Sequence, residues 1–278
     1  MKKILITGNS GYIGSHLTQI LNTYDQYELY GLDLNQPQVK IKNFTVQDIK
    51  TPFGWNYSNI EFDCVIHLAA EVAVGRSVLN PIIYYLTNTL GTLNVLNNLK
   101  FKRLVFASTG SAVGMNSPYS ISKKGAEEIV AQYCTENNLP YTTFRFYNVT
   151  GSDGILPTNP DGLMWNLMNA QTTGMFNLFG NDYHTIDGSC VRDYTHVNEI
   201  CHAVIQGIEQ STNQIENLGH GIGTSVKQMI EIFQTVNDCR FETIICPRRE
   251  GDLETSVLDN PSVFMEHLYT IDELLKVK

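Results

Sequence analysis

The sequence predicts an α/β fold: a doubly wound parallel sheet, followed by a smaller mixed α/β region. Three observations predict it. Short apolar runs alternate with helical stretches through the first half. A glycine-rich turn, Gly8-Asn9-Ser10-Gly11-Tyr12-Ile13-Gly14, follows the first run directly. An acid, Asp33, ends the second run, nineteen residues beyond Gly14.

Each element has its reason. Residues 2–7 (K-K-I-L-I-T) form the short apolar run of a buried parallel strand. Gly8 allows the tight turn, Gly11 lets the backbone approach a pyrophosphate, and Gly14 lets the next helix pack closely. That helix, over 12–22, aims its amino-terminal N–H groups and positive dipole end at phosphates. Asp33 ends the second strand, where an acid binds the adenosine ribose hydroxyls and repels a 2′-phosphate, so NAD is favoured over NADP. Further strands are expected over 64–68, 103–108 and 141–146, with helices over 81–99 and 118–136. This alternation implies right-handed crossovers, helices on both sheet faces and ligands beyond the strand carboxyl ends. Leu68, Ala69 and Ala70 end one such strand, and the small alanines leave room for a cofactor. The expected organisation is a Rossmann-type domain over 1–148 and a substrate-binding domain over 149–278, with part of 190–220 packing back onto the first. Residues 151–161 read as the boundary, 176–188 as loop, and 162–173, 197–210 and 224–237 as helices.

Tyr119 and Lys123 stand at i and i+4, on one face of the helix that starts at Pro118. Ser117 can cap it, and Pro118 suits the first turn. A phenol near an ammonium and a positively charged nicotinamide is expected to have its pKa drawn toward neutrality. It then serves as general base for an alcohol or sugar hydroxyl. The Thr109 hydroxyl can share that hydrogen bond. By itself such a pair is more often an exposed surface pair; the glycine turn and Asp33 reverse the odds.

The chain has 278 residues, 42% of them hydrophobic, and a net charge of −9. No basic run exceeds a pair such as Lys2-Lys3, Lys123-Lys124 or Arg248-Arg249. Nucleic-acid binding through a broad basic face is therefore not expected. An anionic substrate needs locally placed cations, and Arg192 and Arg249 are candidates to clamp a diphosphate. The bland reading of each is an ordinary surface or ion-paired arginine. The six cysteines form no C-x-x-C and no metal-like cluster, which fits a reduced cytoplasmic protein without a metal site. Neither a signal peptide nor a membrane-spanning stretch is expected.

Taken together, G-N-S-G-Y-I-G, Asp33, Asp48-Ile49, H-L-A-A and Y-S-I-S-K resemble the extended short-chain dehydrogenase/reductase superfamily. More narrowly, residues 179–197 (F-G-N-D-Y-H-T-I-D-G-S-C-V-R-D-Y-T-H-V), 217–226 and 247–252 (P-R-R-E-G-D) resemble the UDP-galactose (UDP-hexose) 4-epimerase family. The resemblance covers nearly the whole chain. It implies an isomerase that inverts C4 of UDP-galactose or UDP-glucose through a 4-keto intermediate, with bound NAD restored in each cycle. Tyr119 is then the base, Lys123 holds the nicotinamide ribose, and Thr109 touches the same sugar hydroxyl. Gly8, Gly11, Tyr12, Ile13 and Gly14 cradle the pyrophosphate. Asp48 and Ile49 border the adenine, Ala70 and Phe146 lie toward the nicotinamide half, and Thr87 is a further cofactor-binding position. Asn148, Asn166, Leu167, Phe179, Arg192, Arg249 and Asp252 match positions that grip the nucleotide-sugar. Ser256 matches one where a small side chain admits UDP-N-acetylhexosamines. The resemblance also implies a homodimer through the helices over 81–99 and 118–136.

Some positions depart from the family pattern. Residues 114–117 are much shorter than the family segment between the Thr strand and the Tyr helix. Val72 stands where the family commonly has Lys, and Thr87 where it often has Asn; a last family helix is expected to be missing or reduced. Gly110-Ser111 follow Thr109 where dehydratase relatives carry Asp-Glu, which disfavours dehydration. A nucleotide-sugar reductase or dehydrogenase with net redox change is the alternative within enzymes. A non-catalytic NAD or nucleotide-sugar sensor is the alternative outside them, although a sensor has no need of Thr109, Tyr119 and Lys123 together.

Overall fold

The computed structural model describes residues 1–277. The chain opens as β1 (Lys2–Thr7), with Ile4, Leu5 and Ile6 fully buried. Then come α1 (Tyr12–Leu21), β2 (Tyr27–Asp33) and β3 (Asn43–Val46). The short β4 (Glu61–Phe62) precedes β5 (Cys64–His67), and the helices α2 (Val74–Leu79) and α3 (Pro81–Tyr84) follow. A single helix over 81–99 is not what forms. After α3 the chain winds as a π-helix over Tyr85–Leu90, then as α4 (Gly91–Asn98). Side chains compete for the backbone there: the Thr92 hydroxyl donates to the Asn88 carbonyl at 2.6 Å. Such competition is a physical cause of local helix distortion.

β6 (Lys100–Phe101) and β7 (Leu104–Thr109) lead to α5 (Pro118–Glu136) and β8 (Tyr141–Phe146). Ser117 caps α5 as its position predicts. Its hydroxyl accepts from the Ser120 N–H, the Ser120 side chain answers it in a capping box, and Pro118 occupies the first turn.

The second half runs β9 (Asn148–Thr150), α6 (Leu163–Thr173), β10 (Met175–Phe179), β11 (Val191–His196), α7 (Val197–Ile208) and β12 (Gln214–Leu218). It ends with β13 (Gly223–Ser225), α8 (Val226–Val236), β14 (Glu242–Cys246), β15 (Thr255–Ser256) and α9 (Ile271–Leu275). The loop expected over 176–188 begins instead as strand. In β10 the residues alternate, Phe176 and Leu178 inward and Met175 and Asn177 outward, and the strand pairs in parallel with β14.

Contacts divide the chain into two compact units, Met1–Arg145 with Cys201–Glu216, and Phe146–Ile200 with the stretch from Asn217 onward. The main sheet has seven strands in the order β12-β8-β7-β5-β1-β2-β3. β1 pairs in parallel with both β2 and β5, so strand order reverses beside β1. In an open α/β sheet that reversal opens a crevice at the strand carboxyl ends. One face of the sheet packs Leu5, Leu32, Val65 and Phe106 against Val95, Leu96, Ala126 and Val130 of α4 and α5. The second unit has its own core, with Leu167, Phe176, Leu178, Ile230 and Phe233 at its centre.

Candidate active site

At the carboxyl end of β1, Gly8 has φ +76, and a Cβ there would lie 2.6 Å from the Ala69 nitrogen. A Cβ on Gly14 would lie 2.1 Å from the Gly8 carbonyl oxygen. Packing within the protein thus requires both glycines. Gly11 is different: its Cβ would meet only the Gly8 oxygen, at 3.3 Å. The space above Gly11 is open, as a cradle for a pyrophosphate needs. α1 starts at Gly11 with no capping side chain, which leaves the helix end suited to an anion. The Asp33 carboxylate accepts from the Ser10 N–H at 3.0 Å and from the Asn35 N–H at 2.9 Å, so it stands beside the glycine turn with lone pairs to spare.

The other residues expected near the cofactor fall in the same unit, apart from Phe146. The Ala69 N–H meets the Thr7 hydroxyl at 3.3 Å, and the Leu68 N–H meets the Thr7 carbonyl at 3.1 Å. Thr87 has a buried hydroxyl with no protein partner. Asp48 is engaged by the Lys50 ammonium at 3.0 Å. The Ile49 side chain is buried against Gly91, and its carbonyl accepts from the Asn94 amide at 2.8 Å. The open Gly11 cradle, the Asp33 carboxylate and the orphaned Thr87 hydroxyl fit a dinucleotide.

The reactive groups stand on β7 and α5. The Thr109 hydroxyl hydrogen-bonds to Tyr119, and the Tyr84 ring meets the Tyr119 ring edge-on, with centroids 6.2 Å apart. Lys123 is buried, its Nζ 4.4 Å from the centre of the Phe106 ring. Burial pulls the Lys123 pKa down to about 7, and Glu127 opposes that fall. In the protein alone, burial pushes the Tyr119 phenol up to about 12, against the lowering effect of the Thr109 hydrogen bond. The protein alone does not draw it toward neutrality, because the crowded site disfavours phenolate more than one hydroxyl favours it. His67 is a satisfied core histidine. Its ring nitrogens bond the Thr7 and Thr92 hydroxyls at 2.7 and 3.0 Å, and burial pulls its pKa to about 3.

In the second unit, β11 pairs Arg192 with Ser256 of β15, and the Arg192 guanidinium lies 3.9 Å from the Asp252 carboxylate. The Arg249 guanidinium stacks 3.9 Å from the centre of the Phe179 ring. Arg248, by contrast, bonds Asp182 at 2.8 Å and covers Tyr183. Asn148 sits on β9 beside Tyr194 of β11. The Asn166 amide donates to the Pro160 and Gly162 carbonyls at 3.0 and 2.8 Å, shaping the turn into α6. Leu167 is fully buried in the core, so its side chain cannot grip a ligand. Sequence reasoning missed Asn88 and Glu127. The Asn88 amide holds both the N–H and the carbonyl of Glu71 and reaches the Ser122 hydroxyl. Glu127 stands four residues after Lys123, a spacing that was there to be read.

The chain belongs to the NAD dependent epimerase/dehydratase family, whose model matches residues 4–219. Among individual proteins it is similar to human UDP-glucose 4-epimerase, 30% identical over 96% of this chain and 91% of the relative. It is similar also to rice UDP-glucose 4-epimerase 4, 32% identical over 91% of this chain and 81% of the relative. The human alignment runs to 317 positions, more than this chain's 278 residues, so that relative carries segments absent here. Bifidobacterium longum UDP-glucose 4-epimerase, solved in complex with NAD+ and UDP, superposes with a TM-score of 0.87 at 26% identity, covering 98% and 96% of the two chains. Among the described residues no helix is long and apolar enough to cross a membrane, and no cluster of three or more His, Cys, Asp or Glu could hold a metal ion.

Proposed function

We propose that this protein inverts carbon 4 of a UDP-hexose, UDP-galactose or UDP-glucose, as an NAD-dependent epimerase. The observation that carries the reading is the Thr109–Tyr119 hydrogen bond with Lys123 one turn along, in the same unit as the open glycine cradle. Relatives named UDP-glucose 4-epimerase support it over most of the chain. When bound, NAD supplies reversible oxidation of carbon 4. Tyr119 takes the proton of the 4-hydroxyl and returns it; Thr109 orients that hydroxyl. The Lys123 ammonium and the charge of an oxidised nicotinamide favour the phenolate, which the protein alone disfavours. Gly8, Gly11, Tyr12, Ile13, Gly14 and Asp33 hold the dinucleotide, with Asp48, Ile49, Leu68, Ala69, Ala70, Thr87 and Phe146 around it. In the second unit, Arg192 and Arg249 neutralise the substrate diphosphate, with Asn148, Asn166, Phe179 and Asp252 around it. The 4-keto sugar must turn over between the two half-reactions, so the anchoring groups belong on the nucleotide. The small Ser256 leaves room for an N-acetyl group.

The protein acts as a homodimer in this reading. Ile82, Leu86, Leu90 and Leu93 are exposed apolar residues at helical spacing along 82–93, and Ile121 is exposed on α5. A second copy of this chain covering them accounts for that exposure. Six free thiols support a reducing, cytoplasmic setting. Proton NMR of the purified protein with UDP-galactose and with UDP-N-acetylgalactosamine, first without and then with added NAD, tests the reaction. Appearance of the gluco epimer without net NADH establishes it. Silence in every tube, or stoichiometric NADH, overturns it.

A further inference from the structure

Glu127 is a buried carboxylate on α5, 1% exposed. It lies one helical turn beyond Lys123, on the same face. Three side chains converge on it. The Ser108 hydroxyl, at the end of β7, donates to Oε1 at 2.6 Å. The Arg145 guanidinium, at the end of β8, donates to both carboxylate oxygens, at 2.8 and 2.7 Å. The Lys124 ammonium stands 3.4 Å from Oε2. Ser108 is the residue before Thr109, and Arg145 lies on the neighbouring strand of the sheet. One carboxylate therefore binds the strand that carries Thr109 to the helix that carries Tyr119 and Lys123.

The charges around Lys123 give this arrangement a second consequence. Facing Lys123 are Glu127 on its own helix, His67 on β5 and the Phe106 ring on β7. Among these His67 is neutral, and Glu127 is the anion. Removing the Glu127 charge takes the anion from between Arg145 and an already desolvated ammonium, while Lys124 keeps Glu128 at 2.6 Å.

We propose that Glu127 is a positioning residue for the reaction: it fixes the Thr109 strand end against the Tyr119–Lys123 helix and supplies the counter-charge to the Lys123 ammonium. The proposal rests on the epimerase reading for its catalytic part, while its electrostatic part stands without it. A merely structural carboxylate would affect folding and leave the titration of Lys123 where it was.

The test uses the full chain carrying Glu127→Gln and, separately, Arg145→Gln. In the protein without cofactor, nitrogen-15 NMR of the lysine side chains reads the titration of Lys123. The expected result is a move to lower pH in Glu127→Gln and to higher pH in Arg145→Gln, which removes the closer of the two cations on the carboxylate. In the NAD-loaded enzyme, the high-pH limb of kcat for UDP-galactose should move the same way. Turnover of Glu127→Gln at neutral pH should fall about tenfold for every pH unit by which that limb moves. Ser108→Ala keeps the charge, so it should lower kcat without moving that limb. An unmoved Lys123 titration in whichever variants fold overturns the proposal, even if thermal stability falls. Absence of turnover in the unsubstituted protein overturns the epimerase reading instead, and the NMR titration still decides the counter-charge.

Discussion

The Lys123 ammonium and the Phe106 ring face each other at 4.4 Å, in a site dry enough to bring the lysine pKa down to about 7. In the unfolded chain a lysine titrates near its ordinary value, so between these two pH values the unfolded state holds a proton that the folded state does not. Stability contributed by this group therefore rises with pH from neutrality upward. Cys64 and Cys134, both pushed to about 12 by burial, reverse the trend once unfolded thiols ionise. The cofactor-free protein should thus gain on the order of 1–2 kcal/mol between pH 7 and about 8.5. Lys123→Met should lose that gain. Urea unfolding at the two pH values checks it, and a flat profile in the unsubstituted chain would mean that the folded Lys123 keeps its proton, against a lowered pKa.

Tyr119→Phe keeps the ring that meets Tyr84 and removes the proton acceptor. Turnover should drop by at least about a hundredfold, the usual scale for a general base. Binding of NAD and of the UDP-sugar, measured by calorimetry, should change little. Retained turnover would remove Tyr119 from the chemistry.

The glycines of the cradle should separate into two kinds. Gly14→Ala sets a Cβ 2.1 Å from the Gly8 carbonyl, a clash with backbone that cannot rotate away. It should cost about 1–3 kcal/mol or more of stability. Gly11→Ala meets one backbone oxygen at 3.3 Å, a tight contact relieved by a shift of a few tenths of an ångström, so without cofactor it should lose far less stability than Gly14→Ala. NAD affinity should nevertheless fall. Equal losses of stability in both variants would contradict an open cradle above Gly11.

The arginines divide similarly. Arg249→Ala and Arg192→Ala should each raise KM for UDP-galactose by about tenfold or more, as expected when a charge-assisted contact to a phosphate is lost. Arg248→Ala should raise it far less, because that guanidinium already bonds Asp182 and stacks on Tyr183. Steady-state kinetics of the three variants decides the order.

What could be read from the chain was local. The glycine turn, the acid nineteen residues on, the Ser117 cap and the i, i+4 pair of Tyr119 and Lys123 each depend on neighbours in sequence, and their backbone geometry follows from residue type. The π-helical stretch was not legible, because its distortion involves Thr92 reaching back to Asn88. Glu127 escaped notice because Ser108 and Arg145 reach it only through strand order. Resemblance marks Leu167 as a ligand contact, while its apolar side chain fills the centre of the second core. β10 was hidden by the polar stretch that follows it, although Met175–Phe179 alternates as a strand should.

The Asp33 carboxylate, proposed above as the ribose ligand, also accepts from the Ser10 and Asn35 amides. Cofactor choice and loop architecture are therefore one trait in this protein. Exchanging Asp33 for a small or basic residue to favour NADP would remove two hydrogen bonds from the turn proposed to hold the pyrophosphate. An engineer would have to rebuild the 8–14 and 33–38 loops as a unit, and a lineage drifting between the two cofactors would have to cross an intermediate that holds neither well.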